Sequence, residues 1–323
     1  MLSDVLRVVR LTGALFFRVE ASSPWVIEVP DGAGLAPAAL PGAQHLISYH
    51  VVTRGACWGA TLAGGAPARV EAGDVLVFPH GDPYVMSTAA RLRGGPPRPE
   101  ILAFVRQAAA GQLPFTVVEG GGGPEELHLV CGFLGCDVRP FNPLLATLPR
   151  LLHVRRAFGS AADPLGRLVE LTLAESAERR AGGECVRLRL SELMFVEVVR
   201  RYLAGLPAAQ TGWLSGLREP VVGRALTLLH ERPAEAWTLQ TLARAVALSR
   251  SALADRFAHF VGCPPMQYLT HWRMQLAARR LADGAKVATA ALEVGYESEA
   301  AFSRAFKRTA GVPPAAWRAR HAR

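Results

Sequence analysis

Lysine is nearly missing from this chain: only Lys286 and Lys307 stand among 36 basic residues in 323. Part of the arginine content therefore reflects genomic base composition rather than selection for charge. Cysteine is sparse too, five in all and an odd number, which excludes a disulfide scaffold and suits a reducing cytoplasm. No uninterrupted apolar run reaches the roughly eighteen residues that a membrane-spanning helix needs. Near the N-terminus Arg7 and Arg10 precede the apolar run Leu11–Phe17, but Gly13 interrupts it and Arg18 and Glu20 follow at once, so a signal peptide is not expected. Nucleotide-binding signatures are absent: Gly120–Gly123 has neither dinucleotide-fold spacing nor a phosphate-loop lysine. With half the residues apolar and 20% charged, disorder is excluded as well. The expectation is a soluble cytoplasmic protein of two domains.

What the chain does have is a net charge of +9, unevenly placed. From Arg218 to Arg323 there are 16 basic and 8 acidic residues, whereas the preceding stretch carries 20 and 19. A basic domain points to nucleic acid, and the near-neutral remainder does not.

Three textures succeed one another. Residues 1–145 hold short β-branched and aromatic runs (Trp25–Val29, His45–Val52, Val75–Phe78, Phe115–Val118, Leu127–Phe133) between Gly- and Pro-rich turns, the pattern of a β-sandwich or small barrel. Residues 146–217 turn helical. Pro164–Arg180 and Val186–Leu203 read as two helices, the second with a stripe of Val186, Leu190, Leu193, Met194 and Glu197, and this segment is expected to be a connector able to dimerise. After a Pro-, Gly- and Ser-containing linker over 207–219, residues 218–323 read as all helix.

That last region repeats itself. Displaced by 49 residues, Ser249 falls on Ser298, Leu253 on Phe302, Phe257 on Phe306, Gly262 on Gly311, Pro264-Pro265 on Pro313-Pro314, and Tyr268 on Trp317. Each copy has the grammar of a helix-turn-helix. Thr238 caps a helix over Leu239–Val246, Ala247-Leu248 turns, and Ser249 caps a second helix that Gly262 ends. In the second copy Val287–Val294, the turn Gly295-Tyr296-Glu297, and a helix from Ser298 to Gly311 repeat the arrangement. Pro265–Leu281 joins the copies, with Leu269, Trp272, Leu276, Ala277 and Arg280 predicting an amphipathic helix.

At about 100° per residue, Leu253 and Phe257 define the buried face of the first reading helix, leaving Ser251, Ala254, Asp255 and Ala258 opposite, with Arg250 flanking. In the second, Phe302 and Phe306 are buried, so Ala300, Ser303, Arg304 and Lys307 face outward beside Glu299. Arginine can bond guanine bidentately, Asp255 can accept from cytosine, and Ser303 can reach several base edges. Arg256, Lys286, Arg308 and Arg318 are candidates for phosphate contacts, which position the protein without specifying sequence.

Pro265 to Leu281, then Val294-Gly-Tyr-Glu-Ser-Glu-Ala-Ala-Phe-Ser-Arg-Ala-Phe-Lys-Arg and Gly311-Val-Pro-Pro, resemble the DNA-binding domain of AraC/XylS-type transcription regulators over residues 220–320. The resemblance implies a seven-helix domain whose two reading helices enter successive major-groove segments of promoter DNA. Asp255 departs from it, standing where many members carry a long polar or basic group. The N-terminal region resembles the cupin-type sensor domain of one branch of that family. Gly73-Asp-Val-Leu-Val-Phe-Pro-His-Gly-Asp-Pro-Tyr84 follows the second cupin motif with Tyr84 in place of a metal-binding His. The first motif can be laid on Gly42, Ser48, His50 and Arg54, so only His50 of four usual ligands survives. No metal and no cofactor are expected.

His45 and His50 are five apart on a strand and so point to opposite faces. Cys131 and Cys136 lack zinc-site spacing, and buried free thiols are the default for Cys57, Cys131, Cys136, Cys185 and Cys263, a redox-sensing pair being the alternative. His50, Cys57, Trp58, Tyr84, Cys131 and Cys136 are the candidates for a ligand or redox site. The whole reads as an α+β multidomain regulator, not an enzyme. It combines a cupin-like β-barrel or sandwich sensing a small molecule or redox signal, a helical connector, and an all-α double helix-turn-helix. Expected partners are double-stranded DNA, an effector, RNA polymerase and a second copy of the chain. The competing reading is a metal-dependent cupin-type enzyme fused to a DNA-binding module.

Overall fold

In the computed structural model the described residues are 5–6, 11–95, 99–110, 116–155, 163–177, 181–207 and 211–321. Arg7, Arg10, Phe115, Arg180 and Arg323 lie outside them. The chain divides into two compact units, one formed by Leu11–Asp137 and Leu148–Gly205, the other by Val138–Thr147 and Leu206–Arg323 together with the first ten residues. This division runs differently from the expected 1–145, 146–217 and 218–323. The predicted connector helices belong with the β strands, and a ten-residue segment after the last long strand belongs with the C-terminal helices.

The β unit is a sandwich of two sheets rather than a closed barrel. Its larger sheet has the order β10-β6-β3-β9-β1-β8, from β1 (Leu11–Ser22), β3 (His45–Arg54), β6 (Val75–Phe78), β8 (Thr116–Gly120), β9 (Glu126–Cys136) and β10 (Leu152–Val154). The smaller has the order β2-β7-β4-β5, from β2 (Val26–Val29), β4 (Ala56–Thr61), β5 (Ala68–Glu71) and β7 (Tyr84–Ser87). Among the described residues only β1 and β8 pair in parallel. Helices α1 (Gly32–Ala39) and α2 (Pro99–Ala109), unforeseen in the sequence, pack against each other beside β3 and β1. The apolar run Leu11–Phe17 is the first half of β1 and pairs antiparallel with β9, with a register shift between Leu11 and Gly13.

Strand β3 is buried from Leu46 through Val52 without the alternation of a half-exposed strand. The reason is that both its faces are covered. Leu46, Val52 and His50 face the second sheet, while Ile47, Tyr49 and Val51 face α4 (Gly183–Gly205) through Ser191, Met194, Phe195 and Val198. The stripe expected on this helix is therefore displaced. Met194 is buried, but Val186 and Leu193 are 44% and 53% exposed, and the buried face is led by Ser191, Phe195, Val198 and Val199. Its partner α3 (Pro164–Ala177) is tied to it by Arg201, which bonds both Asp163 and Glu197.

The helical unit contains α5 (Trp213–Arg218), then seven helices: α6 (Pro220–Glu231), α7 (Leu239–Ala245), α8 (Arg250–Val261), α9 (Pro265–Ala282), α10 (Val287–Glu293), α11 (Glu299–Ala310) and α12 (Pro314–His321). The caps follow from side-chain chemistry. The Thr238 hydroxyl accepts from the Thr241 amide and is answered in return, Ser249 accepts from Ala252, and Ser298 accepts from Ala301. Gly262 and Gly311 close the reading helices with φ of 82° and 78°. Helix α9 buries the expected Leu269, Trp272 and Ala277 and leaves Gln267 and Arg280 exposed, but its buried face is wider, taking in Tyr268, Met274, Gln275 and Leu281, because helices of both copies and residues 138–147 pack on it.

Candidate functional site: a double helix-turn-helix and a buried cavity

The two helix-turn-helix units superpose in sequence by 48 residues before the turn and by 49 after it: Thr238 matches Lys286 as cap, whereas Ser249 matches Ser298. The second turn is one residue longer. Each turn reverses through a left-handed residue, Ala247 at φ 57° in the first and Gly295 at φ 82° in the second. Glycine is required in the second because a Cβ there would lie 2.5 Å from the Ala234 carbonyl oxygen. One side chain ties the parts together. Arg273 of α9 donates to the Pro233 oxygen (2.6 Å) and the Glu235 oxygen (2.7 Å), and its guanidinium lies 5.9 Å from the centre of the Tyr296 ring. Sequence reasoning missed Arg273, since nothing in its spacing shows which carbonyls it reaches.

In α11, Phe302, Ala305 and Phe306 are buried against Trp317, Met274 and Ala277, and Glu299, Ala300, Arg304, Lys307 and Arg308 are exposed, with Ser303 half-buried. In α8, Leu253 and Phe257 are buried, Arg250, Ser251, Asp255 and Arg256 exposed, and Ala254 half-buried. Lys286, capping α10, is exposed. Some cations of this unit are held by carboxylates and others are not. Arg256 bonds Glu219 at 2.6 Å, Arg280 bonds Glu293 at 2.8 Å, and Arg232 and Arg279 lie 3.7 and 3.8 Å from Glu235 and Asp283. Arg250, Lys286, Arg304, Lys307 and Arg308 have no carboxylate partner among the described residues. Arg256 therefore leaves the set of free phosphate-binding candidates. Its guanidinium holds Glu219, which is 9% exposed and caps α6 by accepting from the Val222 amide.

In the β unit, alternation along the strands places Phe17 and Val19, Ile27 and Val29, Tyr84 and Met86, and Leu129, Cys131 and Phe133 on inward faces. Between the sheets, with α2 and β8 completing the wall, they line a cavity of about 280 Å³ that opens to solvent beside Glu100. Three of the predicted site residues meet in it. The His50 imidazole lies between the Tyr84 hydroxyl (Nε2 to OH, 2.9 Å) and the Cys131 thiol (Nδ1 to Sγ, 3.0 Å). Tyr84 also stacks on Phe78 with ring centres 3.9 Å apart. Burial pushes His50 down to about 3 and pushes the Tyr84 phenol and the Cys131 thiol well above their ordinary values, so all three are neutral at physiological pH.

The other candidates lie elsewhere. Cys136 is buried on the face of β9 opposite Cys131, five residues along, so the two thiols cannot pair. Cys57 belongs to the sandwich core, its thiol pushed up to about 12 by burial, and Trp58 lies in a separate groove beside Arg69 and Glu126. The default of buried thiols fails at Cys185, which is exposed, and at Cys263, which is half-buried. His45 points away from the cavity, bonded to the Pro79 oxygen at 2.7 Å. Arg54 is ion-paired with Glu126 on the surface at 3.0 Å. A metal does not fit at the cupin position: both ring nitrogens of His50 are engaged by Tyr84 and Cys131, and among the described residues no group of three His, Cys, Asp or Glu is placed to hold an ion.

A duplicated helix-turn-helix with unpaired cations on its reading helix, carried on one chain with a hollow β sandwich, defines a DNA-binding regulator with an attached ligand-type domain. The comparisons are specific. Residues 1–204 match the Cupin family and residues 242–320 the helix-turn-helix domain family. A relative from Streptomyces lividans, described as an AraC-like transcription regulator, is 33% identical over 325 residues, 98% of this chain and 97% of that one. One from Streptomyces antibioticus with the same description is 33% identical over 329 residues, again 98% and 97%. Among solved structures, the DNA-binding domain of AdpA in complex with a target DNA is 31% identical, covering 31% of this chain and 90% of that one with a TM-score of 0.30. The chain belongs to the AraC-type transcription regulators with an N-terminal cupin domain, and it binds DNA through its helix-turn-helix units.

Proposed function

We propose that this regulator is a cytoplasmic, non-enzymatic ligand sensor in which occupancy of the β unit adjusts how α8 and α11 engage promoter DNA. The observation that carries the sensing half is the cavity floored by His50, Tyr84 and Cys131, a preformed apolar space with a few convergent polar groups. The opposite faces of Cys131 and Cys136 argue against a disulfide switch between them, and the buried, protonated Cys131 thiol favours a small-molecule ligand over a redox signal. On α11, Ala300, Ser303, Arg304 and Lys307, flanked by Glu299, reach base edges. On α8, Ser251, Ala254 and Asp255 do so beside Arg250, with fewer charged groups. Lys286 and Arg308 take phosphates. Leu171, Val186 and Leu193, exposed on α3 and α4, support a homodimer through that helix pair, and RNA polymerase is the further partner. The metal-dependent enzyme is disfavoured by the donor set around His50.

The test is a salt-titrated gel shift on the DNA upstream of the protein's own gene, with candidate small molecules and with oxidant. Specific binding that changes with a small molecule supports the reading. Binding no stronger than to random competitor at moderate salt removes the specific-regulator half, and indifference to every effector removes the sensing half.

A further inference from the structure

We infer that the cavity between the two sheets takes an uncharged, largely apolar organic molecule bearing one hydrogen-bonding group, and that it rejects organic anions. This rests on the reading of the β unit as a ligand sensor and adds the chemical class of the ligand.

Of the seventeen described residues lining the space, twelve are apolar, including Phe17, Trp25, Phe104, Leu129 and Phe133. Covering an apolar ligand with these side chains removes its surface from water, which favours binding. No lysine or arginine lines it among the described residues. A carboxylate brought to the floor would meet an imidazole, a phenol and a thiol that are all neutral there, and a charge taken out of water without a partner is disfavoured. The acidic side chains that do line the wall, Glu100 on α2 and Glu119 on β8, offer an anion no partner. Nor do they make a cation site. Glu100 is exposed, where water screens it, and Glu119 already has a partner.

The floor can nevertheless donate one hydrogen bond to an acceptor on a neutral ligand, whichever tautomer His50 adopts. If His50 Nε2 accepts from the Tyr84 hydroxyl, Nδ1–H donates to the Cys131 sulfur, and the thiol hydrogen is left for a ligand acceptor. If Nε2–H donates to the Tyr84 oxygen, Nδ1 accepts from the thiol, and the phenolic hydrogen is turned toward another acceptor. The volume of about 280 Å³ corresponds to a small molecule.

The experiment uses purified full-length protein with the neutral fluorescent reporter N-phenyl-1-naphthylamine, displaced at pH 7 by 2-naphthol or by 2-naphthoate, which share a ring system and differ in charge. The expected result is displacement by 2-naphthol at a concentration at least about tenfold lower, a factor equivalent to about 1.4 kcal/mol. Added 2-naphthol should also slow amide exchange in β9 and α2, and displacement should be lost in Leu129→Trp and Val105→Phe, either of which suffices if the other does not fold. Equal or tighter binding of 2-naphthoate at the same peptides overturns the ligand class and leaves the sensor reading standing. Binding of neither probe, or exchange protection outside β9 and α2, overturns the inference and counts against the sensor reading too.

Discussion

Gly295→Ala isolates what holds the second helix-turn-helix in its geometry. Two costs add. The φ of 82° lies in the left-handed region, where an L side chain costs about 1–2 kcal/mol. The new Cβ would also lie 2.5 Å from the Ala234 oxygen, 2.8 Å from its Cα and 2.9 Å from its carbonyl carbon. All three are backbone atoms of the loop that Arg273 clamps, so relief requires moving that loop, at about 1–3 kcal/mol. The expected loss is about 2–5 kcal/mol. At the matching position of the first copy, Ala247→Gly should change stability by less than about 1 kcal/mol, because relief at φ 57° is offset by glycine's extra chain entropy. Urea unfolding of the full-length variants, with amide exchange resolving α10 and α11, reads both. A Gly295→Ala protein within about 0.5 kcal/mol of the parent would refute the reasoning.

Further outcomes follow from the sites. Arg304→Ala should cost about 1–3 kcal/mol of discrimination at one base position. Arg308→Ala should weaken all sequences alike and lower the salt slope by about one, and a changed base preference there would refute the face assignment. Arg256→Ala should instead lower stability by about 1–2 kcal/mol with the salt slope intact, because it uncovers Glu219 rather than losing a phosphate. His50, held near 3 in the folded protein against about 6.5 when unfolded, keeps its full contribution above pH 6.5. As pH falls below that, the unfolded state takes up the proton first and stability declines by up to about 1.4 kcal/mol per unit toward pH 3. Over pH 5–6.5 the unfolding free energy of His50→Asn should fall less steeply than the parent's; equal slopes refute the assignment. Thiol labelling of the native protein should modify Cys185 fastest and Cys263 next, with Cys57, Cys131 and Cys136 protected until unfolding. A Cys131–Cys136 crosslink after mild oxidation would contradict their opposite faces.

Much of the helical unit was legible because its signals are local. Thr238, Ser249 and Ser298 cap whatever helix follows them, Gly262 and Gly311 end it, and the Phe302–Phe306 spacing sets one face of α11. The β unit was read less well. Five strands were located, each within three residues at every described end, yet β1 was passed over as a rejected leader and α1 and α2 were missed. The stripe on α4 was misplaced because apolar periodicity does not say which face a sheet will cover.

Sequence alone determined that the charge sits in a duplicated reader, which residues cap it, and that His50 and Tyr84 occupy cupin positions without a metal-binding set. Only the tertiary structure decided which cations are free. Arg256 and Arg304 look alike in sequence, but Glu219 reaches one of them from 37 residues away. It also decided that Cys131, 81 residues from His50, completes the cavity floor while Cys136 does not. Partner and burial are set by long-range pairing, to which local propensity and spacing are blind, whereas caps, turns and faces are fixed within a few residues.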